Sequence, residues 1–316
     1  MSDDIQRVTW SDYIRIMRLD HWIKQLFILP GIITALALTD DAFRNVIIDV
    51  LCGGIAASLV ASANYVINEY LDAKFDQFHP TKKHRSIVGK AVRGQHIFCL
   101  WSFLTAIGFI LAWRVNLPFL IACIALWVMG IIYNVRPIRT KDIPILDVLS
   151  ESLNNGIRFL LGWFIVTANN LPPVSVLLGY WLAGAFLMAI KRYAEYIMIG
   201  DAAVAGKYRQ SFTFYTERSL LISAFFYAML SVFFIGIFLI KYRLELLLFM
   251  PFFIGIFCYY FYLAFQEDSA VQKPEKIYRQ PLLMLYCLGL TILFCVLMKV
   301  DIPWLSIFAD KELIGF

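Results

Sequence analysis

Charge is what this chain has least of. Asp, Glu, Lys and Arg make up 16% of its 316 residues, hydrophobic residues make up 60%, and the mean hydropathy is +0.70. That is too apolar for a soluble domain of this length, so an integral membrane protein is expected. The short alternating segments of a membrane barrel are missing, which leaves an all-α, polytopic architecture. Cysteine is sparse. Cys52, Cys99, Cys123, Cys258, Cys287 and Cys295 all lie in apolar runs without C-x-x-C spacing, so they read as core rather than as metal or disulfide positions. The four histidines do not pair at metal-ligand spacing within a helix. No Ser/His/Asp or Cys/His set is evident. The opening MSDDIQ is acidic where a secretory signal would be basic, so no signal peptide is expected. No Gly/Ser or Pro-rich linker divides the chain, and residues 1–316 read as a single helical domain.

Long apolar runs are plentiful. A spanning helix needs about 20 mostly apolar residues. About nine candidates appear, at 25–41, 46–67, 96–115, 118–134, 146–167, 174–190, 220–240, 246–265 and 282–299. Residues 9–24 read as a surface helix opened by a Thr9/Asp12 capping box, with Trp10, Ile14, Met17 and His21 or Trp22 along one side. Of the 28 Lys and Arg residues, 21 fall on the side of the N-terminus. Only Arg44, Arg114, Lys241, Arg243, Lys299 and Lys311 fall opposite, and Arg158 lies within a span. This bias puts the N-terminus in the cytoplasm. It accounts for the net charge of +5 without a nucleic-acid partner. The loops 68–95 and 191–219 echo one another weakly, as an old duplication would. Gly53, Gly54, Ala56 and Ala57 allow close helix contact, either inside one bundle or between copies in a homo-oligomer.

The most informative stretch is NEYLDAKFDQFHPTKKHR, residues 68–85. Asn68, Asp72 and Asp76 recur at i, i+4, i+8, and each step rotates only about 40° around a helix, so they share one face. Three oxygen ligands where an apolar segment ends suit a hard cation such as Mg²⁺, whose shell phosphate oxygens usually complete. His79, Lys82, Lys83, His84 and Arg85 follow, and suit those phosphates.

Three further clusters carry chemistry. Tyr133 to Asp147 holds Arg136, Arg139, Lys141 and Asp142, with Pro137 and Pro144 forbidding an ordinary helix. Next, Asp147, Glu151, Asn154 and Arg158 form one polar stripe in an apolar span, beside Asn155. Charges at that depth cost about 2.5–3.5 kcal/mol each on insertion scales. Two uses are open for the stripe: it lines a wet cavity, or Glu151 pairs with Arg158. Finally, Lys191 and Glu195 face the same way with Arg192 beside them, and Lys207, Arg209, Tyr215, Thr216 and Arg218 follow.

The motif N-x-x-x-D-x-x-x-D, in a chain of about nine spans, resembles the UbiA superfamily of intramembrane prenyltransferases. RLDHWIKQ (18–25), residues 68–90, YNVRPIRTKDIPILD (133–147) and KRYAE (191–195) resemble its decaprenyl-phosphate phosphoribosyltransferase branch most. Glu69 stands where the family often has Asp, and is a further candidate metal ligand. The wider superfamily uses a second Asp-rich motif, and here that position holds Lys191, Arg192 and Glu195. The resemblance implies a bacterial plasma-membrane enzyme of cell-envelope synthesis with a cytoplasmic active site. It would transfer 5-phosphoribosyl from 5-phosphoribosyl 1-diphosphate to a polyprenyl phosphate, with Asn68, Asp72 and Asp76 on Mg²⁺. Lys82, Lys83, Arg85, Arg136 and Lys141 are implied for the donor phosphates, and Lys24 with Lys191 or Arg192 for the lipid phosphate. Glu195 would orient a base or the ribose hydroxyls, and Tyr133, Glu151 and Arg158 would line the substrate cavity. Two alternatives stand beside this reading. One is prenyl transfer to an aromatic or other small acceptor, against which KRYAE counts. The other is a transporter, against which the odd span count and the lack of a Gly/Pro-broken helix pair count.

Overall fold

The computed structural model describes residues 8–39, 46–266, 271 and 280–308. The expectations for MSDDIQ, Arg44 and Lys311 lie outside those residues. The regular elements are helices: α1 (Trp10–Ile16), α2 (Leu29–Leu38), α3 (Val46–Asp76), α4 (Gly94–Val115), α5 (Leu117–Asn134), α6 (Leu146–Val166), α7 (Val174–Ile199), α8 (Ala202–Tyr208), α9 (Glu217–Tyr242), α10 (Met250–Ala264) and α11 (Pro281–Leu297).

Local chemistry sets several ends. The Asp12 carboxylate accepts from the Thr9 backbone N–H and hydroxyl, both at 2.9 Å, so the expected cap is present. The surface helix is shorter than 9–24, however. It stops at Ile16, Arg18 takes a left-handed φ of 52°, and Leu19–Ile28 continues as a 3-10 helix. Asn116 caps α5 by accepting from Phe119 N–H, Asp201 caps α8, and Gly200 ends α7 at φ 72°.

Among the described residues, seven stretches are long and apolar enough to cross a membrane: Trp10–Leu38, Ile47–Asp76, Gly94–Val115, Leu117–Asn134, Val174–Ile199, Glu217–Tyr242 and Leu244–Ala264. The count of nine is therefore not reproduced. α6 drops out because its polar stripe lowers its hydropathy, and α11 is an apolar helix of only 17 residues. The ends also move. Asn68–Asp76 and Lys191–Ile199 are helix rather than loop, because α3 and α7 run beyond a membrane's thickness at 31 and 26 residues.

α3 packs on α4 and α5, while α6 lies between α2, α5 and α7. α7 in turn packs on α9 and α10. One apolar core joins α2, α3, α5 and α6 around Phe119, Phe159 and Trp163, and another joins α7, α9 and α10 around Phe186. Ala56 and Ala57 are consumed inside the first core, and Gly54 has open space beside it. α3 with α4 and α7 with α9 are both close neighbours, each pair joined by a charged segment.

The α2–α6 crossing is the tightest contact, and glycine makes it. A Cβ on Gly162 would lie 2.0 Å from the Ile28 carbonyl oxygen, and one on Gly31 would lie 2.0 Å from that of Phe159. Gly162→Ala is therefore expected to destabilise the bundle by about 1–3 kcal/mol, the usual cost of overpacking, although alanine is the better helix former. Gly54→Ala, with no atom within 4 Å of the new methyl and lying inside α3, should leave stability unchanged or raise it by up to about 1 kcal/mol. Thermal unfolding in detergent micelles checks both, and equal melting of the two variants would count against the crossing.

Candidate active site at the mouth of the bundle

α3 brings its oxygen ligands to one end of the bundle. Asn68 donates to Asp72 Oδ2 at 3.0 Å, so the two share a face as the spacing predicts. Asp72 Oδ1 meets Arg139 Nη2 at 3.1 Å and also contacts Lys141 Nζ. Asp76 pairs with Arg85 at 2.7 Å. Asn134, at the end of α5, ties the group together: its Oδ1 accepts from Asn68 and, at 2.8 Å, from Lys141. Glu69 is taken up by Arg18 at 2.6 Å and Arg85 at 3.2 Å.

The donor set of Asn68, Asp72 and Asp76 fits a hard divalent cation as a half-site. Mg²⁺ is usually held by one or two carboxylates, with waters and substrate phosphates completing the shell. Among the described residues, no three His, Cys, Asp or Glu side chains group so as to hold a metal by themselves. Oxygens from a substrate would have to finish the shell.

α6 and α7 build the opposite wall. Arg192 is wholly buried. Its Nε meets Asp147 at 3.3 Å, its Nη1 meets Glu195 at 3.1 Å, and its Nη2 contacts Glu151. Glu151 also accepts from Lys191 at 3.1 Å and from the Tyr133 hydroxyl at 2.8 Å. Tyr133 in turn accepts from Arg192 and Arg209, both at 3.1 Å. Glu195 accepts from Lys82 at 2.7 Å, which links this wall to the basic loop after α3. Asp147 is sealed by the hydroxyls of Ser211 and Tyr215 at 3.1 and 2.6 Å. Glu151 does not pair with Arg158. Arg158 sits deeper, donating to Gln25 at 3.4 Å and Asn155 at 3.3 Å. Lys24 donates to His21 at 3.0 Å and stands 5.8 Å over the Tyr65 ring. Lys83 and Arg136 are exposed.

A cavity of about 550 Å³ opens at this end, lined among others by Arg18, Glu69, His79, Lys82, Arg85 and Glu195. Burial, opposed in part by Asp72, pulls the Lys141 ammonium down to about 8. Lys82 goes the other way, because Glu195 and Tyr208 outweigh its burial. Burial and the Asp147 carboxylate push the Tyr215 phenol up.

Single-sequence reading missed Asn134 as a bridge, Arg139 on Asp72, Arg18 on Glu69, and Tyr208 on Lys82. Three of these, Arg18, Asn134 and Arg139, sat inside stretches already singled out, RLDHWIKQ and YNVRPIRTKDIPILD. A backbone signal also marks the site. Arg18, Arg139 and Ile145 are the described non-glycine residues with positive φ, and each serves the mouth. The first two reach Glu69 and Asp72, and the N–H of Ile145 donates to Tyr215.

A family model described as the UbiA prenyltransferase family matches residues 27–288. The chain belongs to the UbiA prenyltransferase family. It is thus an integral membrane protein of that family, as its apolar composition and the Asn/Asp ridge suggested. Among its relatives, decaprenyl-phosphate phosphoribosyltransferase of Mycolicibacterium smegmatis is 27% identical over 214 residues, covering 66% of this chain and 64% of that one. The protein of the same name from Corynebacterium glutamicum is 25% identical over 222 residues, covering 66% and 60%. Nodulation protein NoeC of Azorhizobium caulinodans is 28% identical over 191 residues, covering 60% and 59%. The chain thus spans under two thirds of each relative's length. A UbiA homolog from Archaeoglobus fulgidus, solved bound to GPP and Mg²⁺, aligns with a TM-score of 0.67 at 18% identity, over 89% of this chain and 99% of that one. A structure of digeranylgeranylglyceryl phosphate synthase aligns at 0.62 and 19% identity, over 91% and 98%. At such identities the likeness is one of fold, and the fold is UbiA-like.

Two outcomes follow from the charge network. Arg192→Met leaves Asp147, Glu151 and Glu195 short of a partner, so a loss of about 3–5 kcal/mol in stability is expected, read from thermal unfolding. An unchanged melt would mean that the three carboxylates do not depend on Arg192. The second concerns His79. Its Nδ1 accepts from the N–H groups of Thr81 and Lys82 at 3.2 Å, and burial, aided by Lys82, pulls it from 6.5 to about 3. Between those values the unfolded chain takes up a proton that the folded chain refuses, so stability falls as pH drops from about 6.5 toward 3. His79→Gln should flatten that slope in melts taken from pH 7 to 4.

Proposed function

We propose that this protein transfers 5-phosphoribosyl from 5-phosphoribosyl 1-diphosphate to a polyprenyl phosphate of the decaprenyl type, releasing diphosphate. The observation that carries the reading is the α6–α7 wall. The wider family clamps a prenyl diphosphate between two acidic motifs, and here the place of the second holds Lys191, Arg192 and Glu195, with Arg192 wholly buried among Asp147, Glu151 and Glu195. Bases thus stand on both walls, Arg85, Arg139 and Lys141 beside Asp76 and Asp72, and Lys82, Lys191, Arg192 and Arg209 opposite. The network joins eight bases, Arg18, Lys82, Arg85, Arg139, Lys141, Lys191, Arg192 and Arg209, to seven carboxylates besides the exposed Asp20. Arg158 adds one more cation. A site with surplus positive charge favours two phosphorylated substrates over a neutral aromatic acceptor. The names of the mycobacterial and corynebacterial relatives support the same choice.

In this reading Asn68, Asp72 and Asp76 hold Mg²⁺, which when bound stabilises the leaving diphosphate. Lys82, Arg85, Arg139 and Lys141 neutralise donor phosphates around it. The bond from the anomeric carbon to diphosphate breaks as that carbon takes on oxocarbenium character. An oxygen of the lipid phosphate forms the new bond. That oxygen is anionic at neutral pH, so no general base is required. His79, neutral and bonded to its own loop, is free of that duty. Catalysis is then mostly positioning and charge stabilisation. The Lys/Arg bias supports a cytoplasmic mouth, where a soluble donor would be at hand.

Purified protein in polyprenyl-phosphate micelles, given donor labelled in the ribose, is expected to move label into the lipid fraction. Chelation of divalent metal should stop the transfer, and Asp72→Asn should slow it by about 100-fold or more. Consumption of a prenyl diphosphate with no label in the lipid would replace this reading with prenyl transfer. Full turnover by Asp72→Asn would remove the ridge from the chemistry.

A further inference from the structure

The polar stripe of α6 ends in a cation without a counter-ion. Arg158 is 7% exposed and lies within a spanning bundle, where an uncompensated charge is expensive. The carboxylates on its own helix are spoken for: Asp147 by Arg192, Ser211 and Tyr215, and Glu151 by Arg192, Lys191 and Tyr133. Among the described residues no carboxylate reaches Arg158. Its Nε and Nη1 make long contacts to two neutral amide oxygens, and its Nη2 has no partner. Tying α6 to the 19–28 segment would need only one neutral donor. Amides hold the guanidinium at Nε and Nη1 and leave the N–H groups of Nη2 to spare, and charge-assisted donors of that kind suit a phosphate oxygen.

Depth narrows the occupant. Arg158 lies seven residues beyond Glu151, about 10 Å further into the bundle at 1.5 Å per residue. The diphosphate of the donor belongs at the mouth, with Asp72 and Asp76. A nucleophile must approach the anomeric carbon from the side away from that leaving group, which is the deeper side. The 5-phosphate of the donor has the same chemistry as a lipid phosphate, but the mouth already holds Lys82 and Arg85 for it. We infer that Arg158, its plane held by Gln25 and Asn155, seats the phosphomonoester of the acceptor lipid and so selects an anionic acceptor. This rests on the proposed reaction for the acceptor's identity, and adds which residue distinguishes it.

The test uses the full-length protein in micelles. Binding of a polyprenyl phosphate, the matching polyprenol and ribose 5-phosphate is measured for the wild type, Arg158→Gln, Arg158→Lys, Asn155→Asp and the exposed control Arg114→Gln, together with KM for lipid and donor. Arg158→Gln should weaken polyprenyl phosphate binding and raise its KM by about 10- to 100-fold, with the donor KM, ribose 5-phosphate and polyprenol unchanged. Arg158→Lys should lose less. Asn155→Asp puts a carboxylate on Arg158 without removing it, so it should weaken lipid binding even if Arg158→Gln does not fold. Arg114→Gln should match the wild type. A rise in donor KM or loss of ribose 5-phosphate binding would move Arg158 to the donor site and overturn the inference. So would unchanged lipid affinity with lowered melting, the mark of a mere strut. If the wild type transfers no phosphoribosyl group, the proposed reaction falls by itself. Phosphate-selective lipid binding that Arg158→Gln abolishes would then still carry the inference.

Discussion

Charges placed among apolar helices must find partners inside the protein, because lipid offers none. Arg192 is where that requirement bites hardest. It is wholly buried and touches Asp147, Glu151 and Glu195 at once. Through those contacts α6, α7 and the loops after α3 and α7 become one electrostatic unit. A buried ion pair is a poor source of net stability, yet losing one member strands the others. The network therefore acts mainly to fix the mouth's geometry. It also explains why α6, an element between α2, α5 and α7, fails a hydropathy test for spanning.

The apolar part of the bundle serves the same end. The glycine crossing of α2 and α6 lets two backbones touch, which sets the 19–28 segment against α6. That placement brings Gln25 to Arg158. Three residues held in left-handed backbone, Arg18, Arg139 and Ile145, turn the chain sharply where it meets the ion network. Conformations of that kind persist only where the surroundings over-determine them, and the ion pairs of Arg18 and Arg139 do so here.

Local pattern carried much of the site's inventory. The i, i+4 spacing of Asn68 and Asp72 correctly placed them on one face, and the stripe on α6 was visible as a break in hydropathy. Partnerships were not visible. Glu151 pairs across helices with Lys191 and Arg192 rather than along its own helix with Arg158, because helices pack side by side and offer nearer cations. Asn134 lay in a stretch already singled out but was given no role, whereas α5 ends beside α3 and makes it the bridge between Asn68 and Lys141. Span ends were misjudged where helices outrun the membrane, since hydropathy reports where lipid stops and not where hydrogen bonding stops.

By itself the sequence determined that the protein is helical and membrane-embedded, that its family is UbiA, and that acid and base gather at one end. The first and last follow from composition, periodicity and short-range spacing, and the family from the resemblance of short motifs, all of which a chain carries whether folded or not. Tertiary structure decided which charge neutralises which, and so which groups remain available to a substrate. Availability depends on distances between helices far apart in sequence. Such distances are fixed by packing, down to a single glycine contact.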